Sequence, residues 1–110
     1  MSLSLQVLYP ITETTKFDYE YYFQTHMKLV KDTFGDHLDS TLVTKGIGSG
    51  PNKPAGYYAI ATMIFKNQSA MDLALSRAGV VMEDIPNYTN TDPIMSVSYT
   101  HLTLPTILLV

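Results

Sequence analysis

The residues of this chain best suited to chemistry sit in two aromatic segments. His26 lies at the end of the run Phe17-Asp18-Tyr19-Glu20-Tyr21-Tyr22-Phe23-Gln24-Thr25-His26, which continues into Met27, Lys28, Leu29 and Val30. It is answered far downstream by Asp84-Ile85-Pro86-Asn87-Tyr88-Thr89-Asn90. If the first segment is helical, Tyr22 and His26 lie one turn apart on one side, and Leu29 and Val30 extend that face. A titratable ring on an otherwise apolar surface suits a general acid or base, because burial and neighbours can move its pKa around neutrality. The same placement suits a core histidine that hydrogen-bonds a carbonyl. Both readings stand at this point.

Other chemistries find less support. His26, His37 and His101 have no metal-ligand spacing, so no metal site is expected. No nucleophile elbow is present, and the absence of cysteine removes thiolate nucleophiles, disulfides and iron–sulfur ligation. The glycine run Gly46-Ile47-Gly48-Ser49-Gly50 is not a phosphate loop, since no Lys followed by Ser or Thr stands at the required offset and a strand pattern comes next. Seven scattered Lys and Arg in a chain of net charge −3 give nucleic acid nothing to bind. Residues 93–110 carry no Asp, Glu, Lys or Arg, but serines, threonines, His101 and Pro105 interrupt the run, so no membrane span is expected. The N-terminus lacks the form of a signal peptide, and the expected location is cytoplasmic.

The elements that must position these residues follow from periodicity. With 110 residues, one domain is expected. Leu3, Leu5, Val7 and Tyr9 alternate with polar residues as in a strand buried on one face, ended by Pro10. Asp18 offers an N-cap for a helix running to about Phe34, with Gly35 as its stop. Thr41 to Ile47 reads as a second strand, and Tyr57 to Phe65, apolar on both faces, as a third. Ser69-Ala70-Met71-Asp72 resembles a cap for a second helix whose apolar positions are Met71, Leu75, Ala78 and Met82, with Gly79 as a possible break. Ile94 to Tyr99 alternates as a fourth strand. The order βαββαβ is the ferredoxin-like plan of the α+β class, a four-stranded antiparallel sheet with two helices on one face. Such a sheet leaves one face bare, and the simplest cover is the same sheet of a second subunit, hence a homodimer.

The segments Tyr9-Pro10, Phe17-Asp18 through Tyr22 to His26 and Leu29-Val30, the Tyr57-Tyr58-Ala59 strand, and above all Asp84-Ile85-Pro86-Asn87-Tyr88-Thr89-Asn90 resemble the EthD-like family. That family takes its name from ethyl tert-butyl ether degradation and belongs to the dimeric α+β barrels. The resemblance covers roughly residues 3 to 98. It implies a ferredoxin-like subunit, a homodimer and a cleft for a small, largely apolar or aromatic organic molecule. Relatives are assigned to oxidative degradation and aromatic polyketide biosynthesis. The family histidine falls on His26 and its later acidic residue on Asp84. The proline that the family often carries two positions after the histidine is replaced by Lys28. Residues 1–99 make up the domain. The tail, residues 100–110, reads with the preceding strand end like a translated sequencing adaptor and is set aside as non-native, a real strand extension or swapped arm being the alternative.

With this resemblance, His26 and Asp84 are the catalytic pair to examine, Asp84 orienting the ring or sharing its proton. A turn role before Pro86 is the alternative for Asp84. Tyr9, Tyr22, Tyr58 and Tyr88 are the substrate-binding residues to examine, offering hydroxyls to a carbonyl or phenol. No cofactor is expected; a haem held through His26 is an option that the wider superfamily leaves open, and no feature here demands it. Two functions remain: a cofactor-independent oxidoreductase or cyclase-like enzyme with His26 as acid/base, and a non-catalytic protein that binds a hydrophobic metabolite.

Overall fold

The computed structural model describes residues 2–100. Four strands form one antiparallel sheet: β1 (Leu3–Pro10), β2 (Leu38–Lys45), β3 (Tyr57–Phe65) and β4 (Ile94–Tyr99), in the spatial order β2-β3-β1-β4. Helical segments connect β1 to β2 and β3 to β4, which gives the ferredoxin-like α+β arrangement.

One face of the sheet carries the core. Leu3, Leu5 and Val7 of β1 stand opposite Phe65, Met63 and Ala61 of β3. All are buried with the helical residues Tyr22, Val30, Phe34, Met71, Ala74, Val81 and Ile85. The other face mixes hydroxyls with aliphatic groups: Ser4, Gln6 and Leu8 of β1 pair with Ile64, Thr62 and Ile60 of β3, and Leu8 also with Ile94 of β4. The alternation in β1 is thus a direct record of which side faces the helices.

The first helix, α1 (residues 19–34), begins where Asp18 Oδ1 accepts from the Tyr21 backbone N–H at 3.1 Å. Its middle turn, Tyr22–His26, is a π-helical turn, closed by the Met27 N–H donating to the Tyr22 carbonyl. α-Helical geometry resumes over Met27–Phe34, and Gly35–His37 forms a 3₁₀ turn into β2.

Three expectations shift. β2 runs Leu38–Lys45 rather than 41–47, and Ile47 is 94% exposed. Gly46 explains the end of the strand: its N–H donates to the Tyr58 carbonyl, and a Cβ there would meet the Tyr57 carbonyl oxygen at 1.9 Å, so the chains pass too closely for any side chain. The second helix is capped by Asn67, whose Oδ1 accepts from the Ala70 N–H at 2.9 Å, not by Ser69. It does divide, into α2 (Gln68–Leu75) and α3 (Gly79–Asp84), and the break rotates the buried stripe. Met71, Ala74, Val81 and Ile85 face the core, while Leu75 and Met82 stand half open at its edge. A 3₁₀ turn, Ile85–Asn87, follows.

Thr100 continues the β1–β4 pairing, its N–H donating to the Ser2 carbonyl and its hydroxyl meeting that of Ser4. The rest of the adaptor-like tail, residues 101–110, lies outside the described residues. Among the described residues no helix is long and apolar enough to cross a membrane.

Candidate active site

The wide π turn of α1 brings Tyr22 and His26 onto one line, their rings nearly parallel with centroids 5.6 Å apart. Single π turns within α-helices are often found at functional sites. From the far end of the chain comes Tyr88. It is fixed by a short bridge between Phe17 and Thr89, by the Asp18 N–H donating to the Tyr88 carbonyl at 2.8 Å, and by the Thr89 hydroxyl donating to the Lys16 carbonyl at 2.6 Å. The Asn90 side chain donates to Thr14 and accepts from Lys16. The two segments that the sequence sets apart are thereby sewn together. Phe17 is the aromatic hub between them, its ring 5.0–5.4 Å from those of Tyr9, Tyr22, Tyr58 and Tyr88.

His26 is 3% exposed and uses both ring nitrogens. Nδ1 lies 2.9 Å from Asp84 Oδ2, and Nε2 lies 3.2 Å from the Tyr88 hydroxyl. The Tyr88 hydroxyl in turn lies 2.8 Å from that of Tyr9. Asp84 also accepts at Oδ1, from Tyr21 Oη at 2.6 Å and Asn87 Nδ2 at 3.0 Å.

Electrostatics give this chain a direction. Partial burial works to raise the Asp84 pKa, but the donors Tyr21, Asn87 and His26 outweigh it and hold the carboxyl below its ordinary range, so it is ionised. An ionised carboxylate only accepts, so the His26 proton sits on Nδ1. Burial lowers the His26 pKa against the opposing pull of Asp84, so the ring is neutral at pH 7 and Nε2 is an acceptor. Tyr88 must then donate to Nε2, and Tyr9 to Tyr88. The result is an ordered relay, Tyr9 to Tyr88 to His26, with Asp84 behind it. Burial pushes the hydroxyls of Tyr9, Tyr22 and Tyr88 above the ordinary phenol value, so each stays protonated.

The relay ends at an internal cavity of about 60 Å³ between α1, α2, α3 and the sheet. Tyr9, Tyr22 and His26 form its polar end, and its walls are Leu5, Val7, Val30, Phe34, Met63 and other apolar side chains. It opens to solvent past Leu75, Met82 and Met95, which are 42%, 43% and 45% exposed.

Of the residues singled out in the sequence, His26, Asp84, Tyr88 and Tyr9 form one hydrogen-bonded chain, and Tyr22 lines the cavity beside it. Tyr88 reaches the cavity only through Tyr9 and His26. Tyr58 does not take part: its ring stacks on Phe17 and its hydroxyl is 2.8 Å from that of Thr15, away from the cavity. Sequence reasoning missed Tyr21 and Asn87 as partners of Asp84. The spacing of Asn87, three residues after Asp84 in a helical turn, is a signal that could have found it. For Tyr21 there is no such signal, because its contact spans 63 residues. Among the described residues no group of three or more His, Cys, Asp or Glu is placed to hold a metal ion.

The sequence model of the EthD domain matches residues 12–92, which contain the whole relay except Tyr9. The chain belongs to the EthD family. An EthD-like protein from Ralstonia eutropha JMP134 has a crystal structure similar to this one, at 28% identity and a TM-score of 0.83 over 94% of this chain and 95% of that one. An ethyl tert-butyl ether degradation family protein from Bacillus halodurans C-125 is similar at 21% identity and a TM-score of 0.73, covering 91% and 99%. SnoaB, a cofactor-independent oxygenase from Streptomyces nogalater, shares the fold at 11% identity and a TM-score of 0.57, covering 94% and 96%. No functionally curated protein is detectably similar in sequence.

Proposed function

We propose that this EthD-family protein is a cofactor-independent enzyme, of oxidoreductase or cyclase type, that begins its reaction by removing a proton from a small, largely apolar organic molecule. The observation that carries the reading is the geometry of the buried His26 ring, with Asp84 on one nitrogen and Tyr88 and Tyr9 joining the other to an apolar cavity. His26 is the acid/base residue. Asp84 holds the tautomer and stabilises the imidazolium that forms when Nε2 gains a proton. Because burial disfavours each tyrosinate, the protons of Tyr9 and Tyr88 must shift together rather than one after the other. A protein that merely stored a hydrophobic metabolite would need the cavity, but it has no use for an ionised carboxylate behind a buried imidazole.

The protein works as a homodimer in this reading. The face of the sheet away from the helices presents Leu8, Leu42, Ile60, Ile64 and Ile94, of which Leu42 and Ile94 are exposed, and a second copy of that face would cover them.

The test is deuterium uptake at the acidic C–H bond of apolar 1,3-diketones, whose enol form is conjugated to a carbonyl, incubated in D2O with the protein. Wild-type protein should accelerate uptake, and His26→Gln should remove at least about a hundredfold of that acceleration while keeping the fold. Equal rates with both proteins would return the site to a binding role.

A further inference from the structure

We propose that the ligand of this cavity carries a neutral, acidic hydroxyl, a phenol or an enol conjugated to a carbonyl, whose oxygen accepts from the Tyr22 hydroxyl and whose proton is donated to Tyr9 Oη. This rests on the acid/base reading above and names its substrate class.

Tyr22 is 0% exposed, and its hydroxyl has no hydrogen-bond partner among the described residues. The neighbouring Tyr9 oxygen interacts with it only as a weak acceptor, outside ordinary hydrogen-bond geometry, so the Tyr22 proton is free to turn to a ligand oxygen. Buried polar groups are nearly always paired, and an unpaired hydroxyl on the wall of a cavity points to a partner that the protein itself does not supply. Tyr22 therefore has a proton to give. Tyr9 has the opposite need: its proton is committed to Tyr88, which leaves its oxygen to accept.

One donor and one acceptor thus sit side by side at the polar end of the cavity. A hydroxyl group satisfies both at once. A ketone or ether has no proton for Tyr9. Carboxylates and phosphates are disfavoured because no lysine or arginine among the described residues lines the cavity and the His26 ring is neutral. The hydroxyl must also be more acidic than an ordinary phenol, because its proton has to leave along a hydrogen-bonded chain that is itself made of phenols, Tyr9 and Tyr88. Conjugation to a carbonyl or another electron-withdrawing group supplies that acidity. The remainder of the molecule is apolar and lies towards the mouth, against Leu75, Ala78, Met82 and Met95.

The proton step balances without any co-reactant. The ligand O–H bond breaks and its proton passes to Tyr9 Oη, the Tyr9 proton to Tyr88 Oη, and the Tyr88 proton to His26 Nε2. The electron pair stays on the ligand oxygen, which then accepts from both Tyr22 and Tyr9.

The experiment compares para-nitrophenol, whose absorption reports its ionisation, with its methyl ether para-nitroanisole, by equilibrium titration of the full chain on the acid side of the nitrophenol pKa. The phenol should bind about tenfold tighter than the ether, and Tyr22→Phe should remove about that factor for the phenol alone. The variant should melt no lower than wild type, since the hydroxyl removed has no partner in the protein. Equal affinity for the two probes, no binding of the phenol at millimolar concentration, or a Tyr22→Phe variant indifferent to the choice of probe overturns the proposal. Titration of His26 reports on the ring separately. If the phenol preference and its dependence on Tyr22 are present but the phenol leaves the His26 titration unchanged, the acid/base reading falls and the ligand class stands.

Discussion

Asp84 sets the protonation state of everything in front of it. It is held ionised by three donors, and that fixes the His26 proton on Nδ1, turns the Tyr88 hydroxyl towards Nε2 and turns the Tyr9 hydroxyl towards Tyr88. The pKa shifts also make stability depend on pH. His26 has a folded pKa below its unfolded value of about 6.5, so on acidification the unfolded chain binds a proton before the folded one does. Stability contributed by the neutral ring is therefore complete above about pH 6.5 and declines as pH falls from there towards the folded pKa. The depressed Asp84 pKa adds a further loss at lower pH, present above the unfolded carboxylate value and lost as pH falls through the folded one. The melting temperature of wild type should hence drop on acidification below about pH 6.5, and His26→Gln should flatten the upper part of that drop. A melting temperature that rises as pH falls through this window would contradict a neutral, buried His26.

Among the elements, the second helical pair shows how tertiary context selects between two plausible caps. Asn67 carries the hydrogen bond and Ser69 does not, so Asn67→Ala should destabilise the fold by about 1 kcal/mol in urea denaturation while Ser69→Ala changes little. Equal effects would place the helix start back at Ser69. The strands were the most legible part of the sequence, because Leu3, Leu5, Val7 and Tyr9 declare a buried face by alternation alone. Asp18 was equally legible as a cap, since its partner is three residues away. Less was legible where contacts are remote. The end of β2 is decided by the approach of Gly46 to Tyr57, and the rotation of α3 by a break after Leu75; neither follows from local periodicity. The site divides in the same way. His26 stands out by type and setting, whereas Tyr21 meets Asp84 only once the chain has folded, and Tyr58 belongs by type but is placed elsewhere.

On the scale of the whole molecule, one face of the sheet is spent on the core and the cavity, and the other on aliphatic and hydroxyl side chains suited to a second copy. Sedimentation equilibrium at micromolar concentration should therefore give twice the 12.3 kDa chain mass. A stable monomer would remove the proposed sheet-to-sheet pairing without touching the relay, which lies on the opposite face. Membership in the EthD family fixes the frame in which the site is held. The proposed activity rests instead on a few hydrogen atoms, those on His26, Tyr88, Tyr9 and Tyr22, and these can be observed directly.

The decisive measurement is a nitrogen-15 NMR titration of His26 in the full chain, with and without para-nitrophenol. A neutral ring at pH 7, protonated on Nδ1, with a pKa below about 6.5 that changes on adding the phenol, is the predicted result. A ring protonated on Nε2, or one charged at pH 7, or a titration blind to the phenol, would contradict it.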